Sequence, residues 1–259
     1  MIKYLITIIT LLNLSITAIS AKKPEVNKKT ETIYAVMITG KDDFHKKLAE
    51  RSIQSFLEQT YPNKHLIIVN DGNYSLGYIN KELITEIKLD KKYVLGALRN
   101  IGIKQIPENG IYFQWDDDDW HHPDIMKKQY EYMQKNSADG CILLSQVMYC
   151  FKINAAWIST RKHGNGIEGT IMCKKKEDIF YPEDAKSEDS VFLKDFKKKY
   201  KLIVWDNPAF YYLRFVHGHN TWDEEHFKLK NFEKNQWLIS QEAINYLSQI
   251  VPLYQDIKS

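Results

Sequence analysis

Four consecutive aspartates between two tryptophans, Trp115-Asp116-Asp117-Asp118-Asp119-Trp120, are the residues whose type and spacing most directly imply chemistry. Like charges a few ångströms apart raise one another's pKa, so adjacent carboxylates are costly unless a cation neutralises them. The run follows Ile111-Tyr112-Phe113, an apolar stretch that reads as a short buried strand. The carboxyl end of a strand is where open α/β sheets bind ligands. Hard carboxylate oxygens suit Mg²⁺ or Mn²⁺, which keep a protein carboxylate or two and take their other ligands from phosphates and water. The cluster therefore suggests a metal–phosphate site. The competing reading is a solvated acidic turn. A calcium loop of the EF-hand type fails: counting from Asp116, the glycine position holds His121 and the terminal glutamate position holds Lys127.

Other groups bear on the choice. Asp71 follows Leu66-Ile67-Ile68-Val69 and precedes Gly72. Its carboxylate should lie at the sheet's carboxyl edge, able to accept hydrogen bonds from a nucleobase or ribose, although Asp-Gly is also an ordinary turn signal. Thr39, at the end of the first strand, is a further donor-binding candidate. Gly96-Ala97-Leu98-Arg99-Asn100 opens a helix where glycine permits close approach and Arg99 can reach a base carbonyl or a phosphate. Glu188-Asp189 opens a later helix after Ser187. The helix dipole alone favours acids there, and an ionised carboxylate can also take a proton from an attacking hydroxyl. Near the end, Arg214, His217 and His219 accompany an aromatic strand. A neutral imidazole such as His217 could complete a metal's coordination, and Arg214 could neutralise phosphate. His121 and His122 read as surface residues or as supports of the metal ligands.

Apolar periodicity supplies the elements that must position these groups. Ile33 to Ile38 reads as a strand, Phe44 to Gln59 as a helix with the stripe Leu48, Ile53, Phe56 and Leu57, and His65 to Val69 as a strand. Leu83 to Leu89 is a further strand candidate. Leu95 to Ile106 reads as helix, Ile111 to Trp115 as strand and Pro123 to Lys135 as helix. This βαβ rhythm predicts a mostly parallel sheet with helices on both faces. Further on, Cys141 to Phe151, Ala156 to Ser159, Leu202 to Trp205 and Phe210 to Phe215 are strand-like, Glu188 to Lys198 is helical, and a final helix is expected over Glu233 to Ile250.

The chain has 259 residues and a formal net charge of +3 with the two signs interspersed, which argues against nucleic acid as its main partner. The runs Lys174-Lys175-Lys176 and Lys197-Lys198-Lys199 read as solvated faces. At the N-terminus, Met1-Ile2-Lys3 precedes an uncharged stretch ending near Ala18-Ile19-Ser20, the pattern of a signal peptide or membrane anchor over residues 1–20. Residues 21–31 are polar and read as a linker. The expected location is the secretory pathway, secreted or membrane-anchored, with a cytosol-facing anchor as the alternative. Cys141, Cys150 and Cys173 show no metal-like spacing and read as buried thiols.

Taken in order, Arg51-Ser52-Ile53-Gln54-Ser55-Phe56-Leu57-Glu58-Gln59-Thr60-Tyr61-Pro62, Ile67-Ile68-Val69-Asn70-Asp71-Gly72, Leu98-Arg99-Asn100-Ile101-Gly102, Phe113-Gln114-Trp115 with the Asp run, Pro123-Asp124 and Glu188-Asp189 resemble the inverting glycosyltransferases of family 2. The resemblance implies a GT-A fold: a Rossmann-like single α/β domain over residues 32–259, with a nucleotide-sugar donor half at 32–135 and an acceptor half at 136–259. It also implies a UDP- or GDP-sugar donor, a Mn²⁺ or Mg²⁺ ion held by an Asp-x-Asp motif, and a saccharide, protein or lipid acceptor. Carried over by position, Asp71 and Arg99 would contact the nucleoside, Asp116 the ribose side, Asp118 the metal with Asp116 and His217, and Asp189, beside Glu188, would be the base. The chain departs from the family where its usual Pro-x-Tyr-Asn is replaced by Thr39-Gly40-Lys41-Asp42. Two alternatives remain: a catalytically silent nucleotide- or glycan-binding protein of the same fold, and a nucleotidyltransferase. The latter would usually carry a Gly-x-x-x-x-Gly-Lys phosphate loop, which is absent here.

Overall fold

The chain runs β1 (Ile33–Thr39), α1 (Asp43–Leu57), β2 (Lys64–Asn70), β3 (Ile84–Lys88), α2 (Leu95–Lys104), β4 (Ile111–Gln114), β5 (Asp119–His121), α3 (Ile125–Lys135), β6 (Gly140–Leu143), β7 (Ser145–Cys150), β8 (Ala155–Thr160), β9 (Met172–Lys174), α4 (Glu188–Lys199), β10 (Leu202–Trp205), β11 (Tyr212–Val216) and α5 (Gln241–Ile250). The computed structural model describes residues 31–77, 82–161, 165–184, 186–220 and 241–257, all within one compact unit, Glu31–Ser259.

Alternate residues of a strand point to opposite faces, and β1 is apolar on both. Ile33, Ala35 and Met37 share a core with Ala49, Ile53 and Phe56 of α1 and with Ile125, Met126 and Met133 of α3. Val36 belongs to another core with Leu98 and Ile103 of α2 and Phe192, Leu193 and Phe196 of α4. A strand buried on both faces belongs inside a sheet clad by helices. That sheet has seven strands in the order β10-β6-β9-β4-β1-β2-β3. Pairing is parallel for β1 with β2 and β4, β2 with β3, and β6 with β10. Only β9 runs antiparallel to its neighbours β4 and β6.

A smaller four-stranded sheet, ordered β5-β11-β7-β8, lies beyond the carboxyl end of β4. Trp120, Val147, Tyr149, Leu213 and Phe215 from its strands pack with Leu48 of α1 and with Ile250 and Tyr254. The sequence pattern did not separate this layer. The apolar run from Cys141 to Phe151 is two strands in two sheets, broken at Leu144. The Leu144 N–H donates to the Trp205 carbonyl at 2.9 Å and, with the Ser145 N–H, to Asn207 Oδ1 at 3.0 and 3.1 Å. Asn207 Nδ2 donates to the Ser145 carbonyl at 2.8 Å, so one buried amide satisfies the crossing backbone. Similarly, the strand read from Phe210 begins only at Tyr212, after a single 3₁₀ turn over Ala209–Tyr211. Strands β5 and β9 have three residues each, too short to show a period.

Cys141, Cys150 and Cys173 are buried free thiols. Burial pushes the Cys141 thiol up to about 12. Among the described residues, no helix is long and apolar enough to cross a membrane. The leader, the linker as far as residue 30 and the start of the helix expected from Glu233 lie outside the described residues.

Candidate active site

The acidic run carries the chain from the large sheet to the small one. Trp115 leaves β4 with its N–H on the Val36 carbonyl at 3.1 Å. Its indole Nε1 donates to Ser52 Oγ at 2.8 Å, and its ring stacks on His121 with centroids 3.7 Å apart. Two hydroxyls on the buried face of α1 hold the turn: Ser52 Oγ donates to the Asp116 carbonyl at 2.9 Å and Ser55 Oγ to the His121 carbonyl at 3.0 Å. The turn is thus fixed by packing and backbone bonds, and its four carboxylates are directed to different partners.

Asp119 is structural. Its Oδ1 accepts from the Phe215 N–H at 3.2 Å, its Oδ2 bonds the Tyr212 hydroxyl, and β5 pairs antiparallel with β11, Asp119 opposite Arg214. Asp118 Oδ2 lies 3.2 Å from both His217 Nε2 and Asn220 Nδ2. Burial opposes its charge, but the hydrogen bond from His217 and the Arg214 charge outweigh burial and hold Asp118 below the usual carboxylate range. Asp117 is 9% exposed, and its Oδ2 has no hydrogen-bond partner. Burial, then the neighbouring Asp118 charge, push its carboxyl well above the ordinary range. A buried carboxylate oxygen without a donor is expensive. His45, Asp117 and Asp118 each offer a ligand atom, all within 4.8 Å of one another. This donor set of hard oxygens and an imidazole, with one oxygen already orphaned, fits a divalent cation.

Asp116 and His217, the other two expected ligands, also hold hydrogen bonds within the protein. Asp116 Oδ1 accepts from the Arg99 guanidinium at 3.2 Å. Its Oδ2 faces Gly169, where even a Cβ would come within 3.1 Å. His217 receives the His219 N–H at Nδ1, 3.2 Å away. Nδ1 therefore accepts, and Nε2 carries a proton that it donates to Asp118. Asp116 thus engages Arg99, and His217 engages Asp118 beside His45 and Asp117.

Arg99 is enclosed by protein groups. It is 4% exposed: its Nε donates to Glu188 Oε1 at 3.1 Å, and its guanidinium lies 5.6 Å from the Tyr181 ring centroid. Arg99 ties Asp116 of the acidic run to the first residue of α4. Glu188 is 3% exposed and ion-paired with Arg99. The next residue, Asp189, remains half-buried, with Oδ1 accepting from the Ser190 N–H at 2.7 Å. Burial raises its pKa, with Arg99 opposing. Ser187 before the pair has φ +64°, a left-handed conformation rare for residues with a side chain.

At the other strand ends, the Asp71 N–H donates to the Thr39 carbonyl at 3.3 Å. Its carboxylate accepts from Lys92 Nζ at 3.0 Å and from the Tyr93 N–H at 3.2 Å. Gly40, at φ +123°, lets the two loops touch, for a Cβ there would fall 2.3 Å from the Gly72 nitrogen. Thr39 is buried, with Oγ1 2.9 Å from the Tyr74 hydroxyl. The structure therefore brings Thr39, Asp71, Asp116, Asp118 and His217 to one sheet edge. Sequence reasoning did not single out His45, and it took Asp117 only as part of the acidic run. The available signal was Asp42-Asp43-Phe44-His45, a helix cap followed three residues later by a histidine.

Residues 36–185 match the family described as Glycosyl transferase family 2. A Haemophilus influenzae protein described as an uncharacterized glycosyltransferase is 36% identical over 95 residues, 34% of this chain and 29% of that protein. The match thus spans under a third of the relative's length. Among solved structures, Staphylococcus aureus TarS 1-349 in complex with UDP-GlcNAc superposes with TM-score 0.61 at 14% identity, covering 88% of this chain and 73% of that one. The mannosyltransferase PcManGT from Pyrobaculum calidifontis, in complex with GDP-Man and Mn2+, gives TM-score 0.55 at 10% identity, covering 88% and 68%. At these identities the structural likeness establishes the fold, a mostly parallel α/β sheet of the GT-A kind. Since the family match spans more than half of the sequence, the chain belongs to glycosyl transferase family 2.

Proposed function

We infer that the protein is a metal-dependent, inverting glycosyltransferase moving a sugar from a UDP- or GDP-sugar to a hydroxyl acceptor. The observation that carries this reading is the buried bridge from Asp116 through Arg99 to Glu188, which couples the acidic run to the residue next to Asp189. The bridge holds the start of the helix that carries Asp189 against the acidic run, whose next two residues offer donor atoms to a cation. Structural neighbours that hold UDP-GlcNAc or GDP-Man with Mn2+ support a nucleotide-sugar donor and a divalent ion.

Asp117 and Asp118 would present carboxylate oxygens to Mn²⁺ or Mg²⁺, which when bound stabilises negative charge on the leaving diphosphate by several kcal/mol. Asp71 would accept hydrogen bonds from the nucleoside once Lys92, 59% exposed at its side chain, swings aside. Asp189 would take the proton of the acceptor hydroxyl as that oxygen bonds the anomeric carbon. The bond from that carbon to the diphosphate oxygen breaks on the opposite face, so the sugar inverts in one displacement. The half over residues 136–259 would carry the acceptor contacts, and the leader over residues 1–20 would direct the domain to a membrane or the secretory path. Membrane association and cleavage are read by fractionation and N-terminal sequencing of the native protein.

A donor-hydrolysis assay over a panel of UDP- and GDP-sugars with Mn²⁺, repeated with EDTA and with Asp118→Asn, tests the function. Turnover abolished by EDTA and strongly reduced by the variant is expected. Undiminished activity in EDTA removes the metal, and no turnover with any donor leaves a binding protein.

A further inference from the structure

We propose that His45 is a direct ligand of the divalent cation, forming with Asp117 and Asp118 a site of one nitrogen and two carboxylates. This rests on the preceding reading in requiring a cation, and goes beyond it in assigning a ligand outside the Asp-x-Asp motif.

His45 sits in the first turn of α1. The N-cap carboxylate Asp42 Oδ1 accepts from the His45 backbone N–H at 2.8 Å and lies 2.7 Å from His45 Nδ1. A carboxylate can only accept, so Nδ1 carries the hydrogen and the lone pair is left on Nε2. A carboxylate on one imidazole nitrogen, leaving the other for a metal, is the usual way proteins orient a ligating histidine. At His217 the arrangement is reversed: the His219 N–H donates to Nδ1, and Nε2 carries the proton toward Asp118. The two rings lie 6.0 Å apart, edge to face. One imidazole is left with a lone pair on Nε2, and the other offers a proton to Asp118.

The independent observation is Asp117. Its side chain is buried, and Oδ2 has no protein partner. Donor atoms of His45, Asp117 and Asp118 fall within 4.8 Å of one another, whereas opposite ligands across one ion of this size stand about 4.2 Å apart. Small side-chain adjustments would bring all three onto one cation. A nitrogen donor also favours later divalent metals over Mg²⁺.

The test uses the full chain with Mn²⁺ and UDP or GDP, read by electron spin-echo modulation from coordinated ¹⁴N and by Mn²⁺ titration. Wild type should show imidazole modulation. His45→Gln, with circular dichroism confirming its fold, should lose the modulation and weaken Mn²⁺ by at least about tenfold, the scale for losing even an orienting group. His45→Asp should retain binding and shift preference toward Mg²⁺. His217→Gln, which replaces no residue of α1, should keep the modulation and so tests the assignment even if the His45 variants do not fold. Modulation that survives in His45→Gln, or vanishes in His217→Gln, overturns the proposal while leaving the transferase reading intact. Wild-type protein that binds no Mn²⁺, with or without nucleotide, overturns both.

Discussion

Arg99 and Glu188 form an ion pair of 3.1 Å in which the two side chains are only 5% and 4% exposed. Removing one partner of a buried pair strands the other charge, at a cost of about 3–5 kcal/mol. Here Arg99→Ala strands two carboxylates, Glu188 and Asp116. We expect Arg99→Ala to lower stability by that amount in urea titration and Glu188→Gln by less. The double variant Arg99→Ala/Glu188→Ala should be more stable than the two single losses summed. Strict additivity would show that the pair is not coupled.

Asp189→Asn should separate activity from stability. Turnover should fall about 100-fold or more, the scale of lost general-base assistance, with nucleotide-sugar affinity retained. Burial raises the Asp189 pKa above its ordinary 3.8, so the folded chain holds that proton more tightly than the unfolded chain does. Ionisation therefore costs stability at pH values above the unfolded pKa. The Asn variant should be the more stable form at neutral pH, the difference vanishing on acidification below the unfolded value. Thermal melts at two pH values check the sign, and near-normal turnover with Asn would move the base elsewhere.

His121, stacked under Trp115, provides an acid-sensitive element. Burial pushes its pKa down to about 3 from 6.5, so it stays neutral in the folded protein. The unfolded chain takes up a proton first as pH falls. This contribution to stability is complete above 6.5 and is lost progressively toward 3, by up to about 1.4 kcal/mol per pH unit. His121→Phe should flatten the loss of urea resistance between pH 7 and pH 5. An unchanged slope would assign acid sensitivity to other groups.

Asn73-Tyr74-Ser75 is a glycosylation acceptor sequence two residues beyond Asp71. Asn73 is exposed, while the Tyr74 hydroxyl lies 2.9 Å from Thr39 Oγ1. A glycan at Asn73 would crowd the nucleoside entrance, so the active protein from its native host should be unmodified there. Full occupancy by mass spectrometry in an active preparation would contradict the role given to Asp71.

The large sheet was legible because β1, β2 and β4 are apolar runs between amphipathic helices, a pattern that physics can satisfy in few ways. The small sheet was not. The Asp-Trp-His sequence of β5 has no apolar alternation, and its place is set by backbone pairing with β11 and by Ser55 of α1. Candidate positions at strand ends were legible for the same reason as the strands. Side-chain partnerships were not, because Arg99 looks like a surface arginine until α4, nearly ninety positions later, places Glu188 beside it. His45 was invisible as a ligand because its significance lies in Asp42 occupying the other ring nitrogen, a matter of geometry rather than residue type.

The four aspartates look interchangeable in the sequence, yet they divide among three sets of partners: Arg99 for Asp116, the cation proposed for Asp117 and Asp118, and the Tyr212 hydroxyl and Phe215 backbone for Asp119. Slipping the run by a single residue would keep its acidity and still read as Asp-x-Asp. It would also move the strand anchor into the metal's place and a metal carboxylate onto the arginine. The register of the run is therefore set by the arginine and tyrosine that claim its two ends, rather than by the number of aspartates.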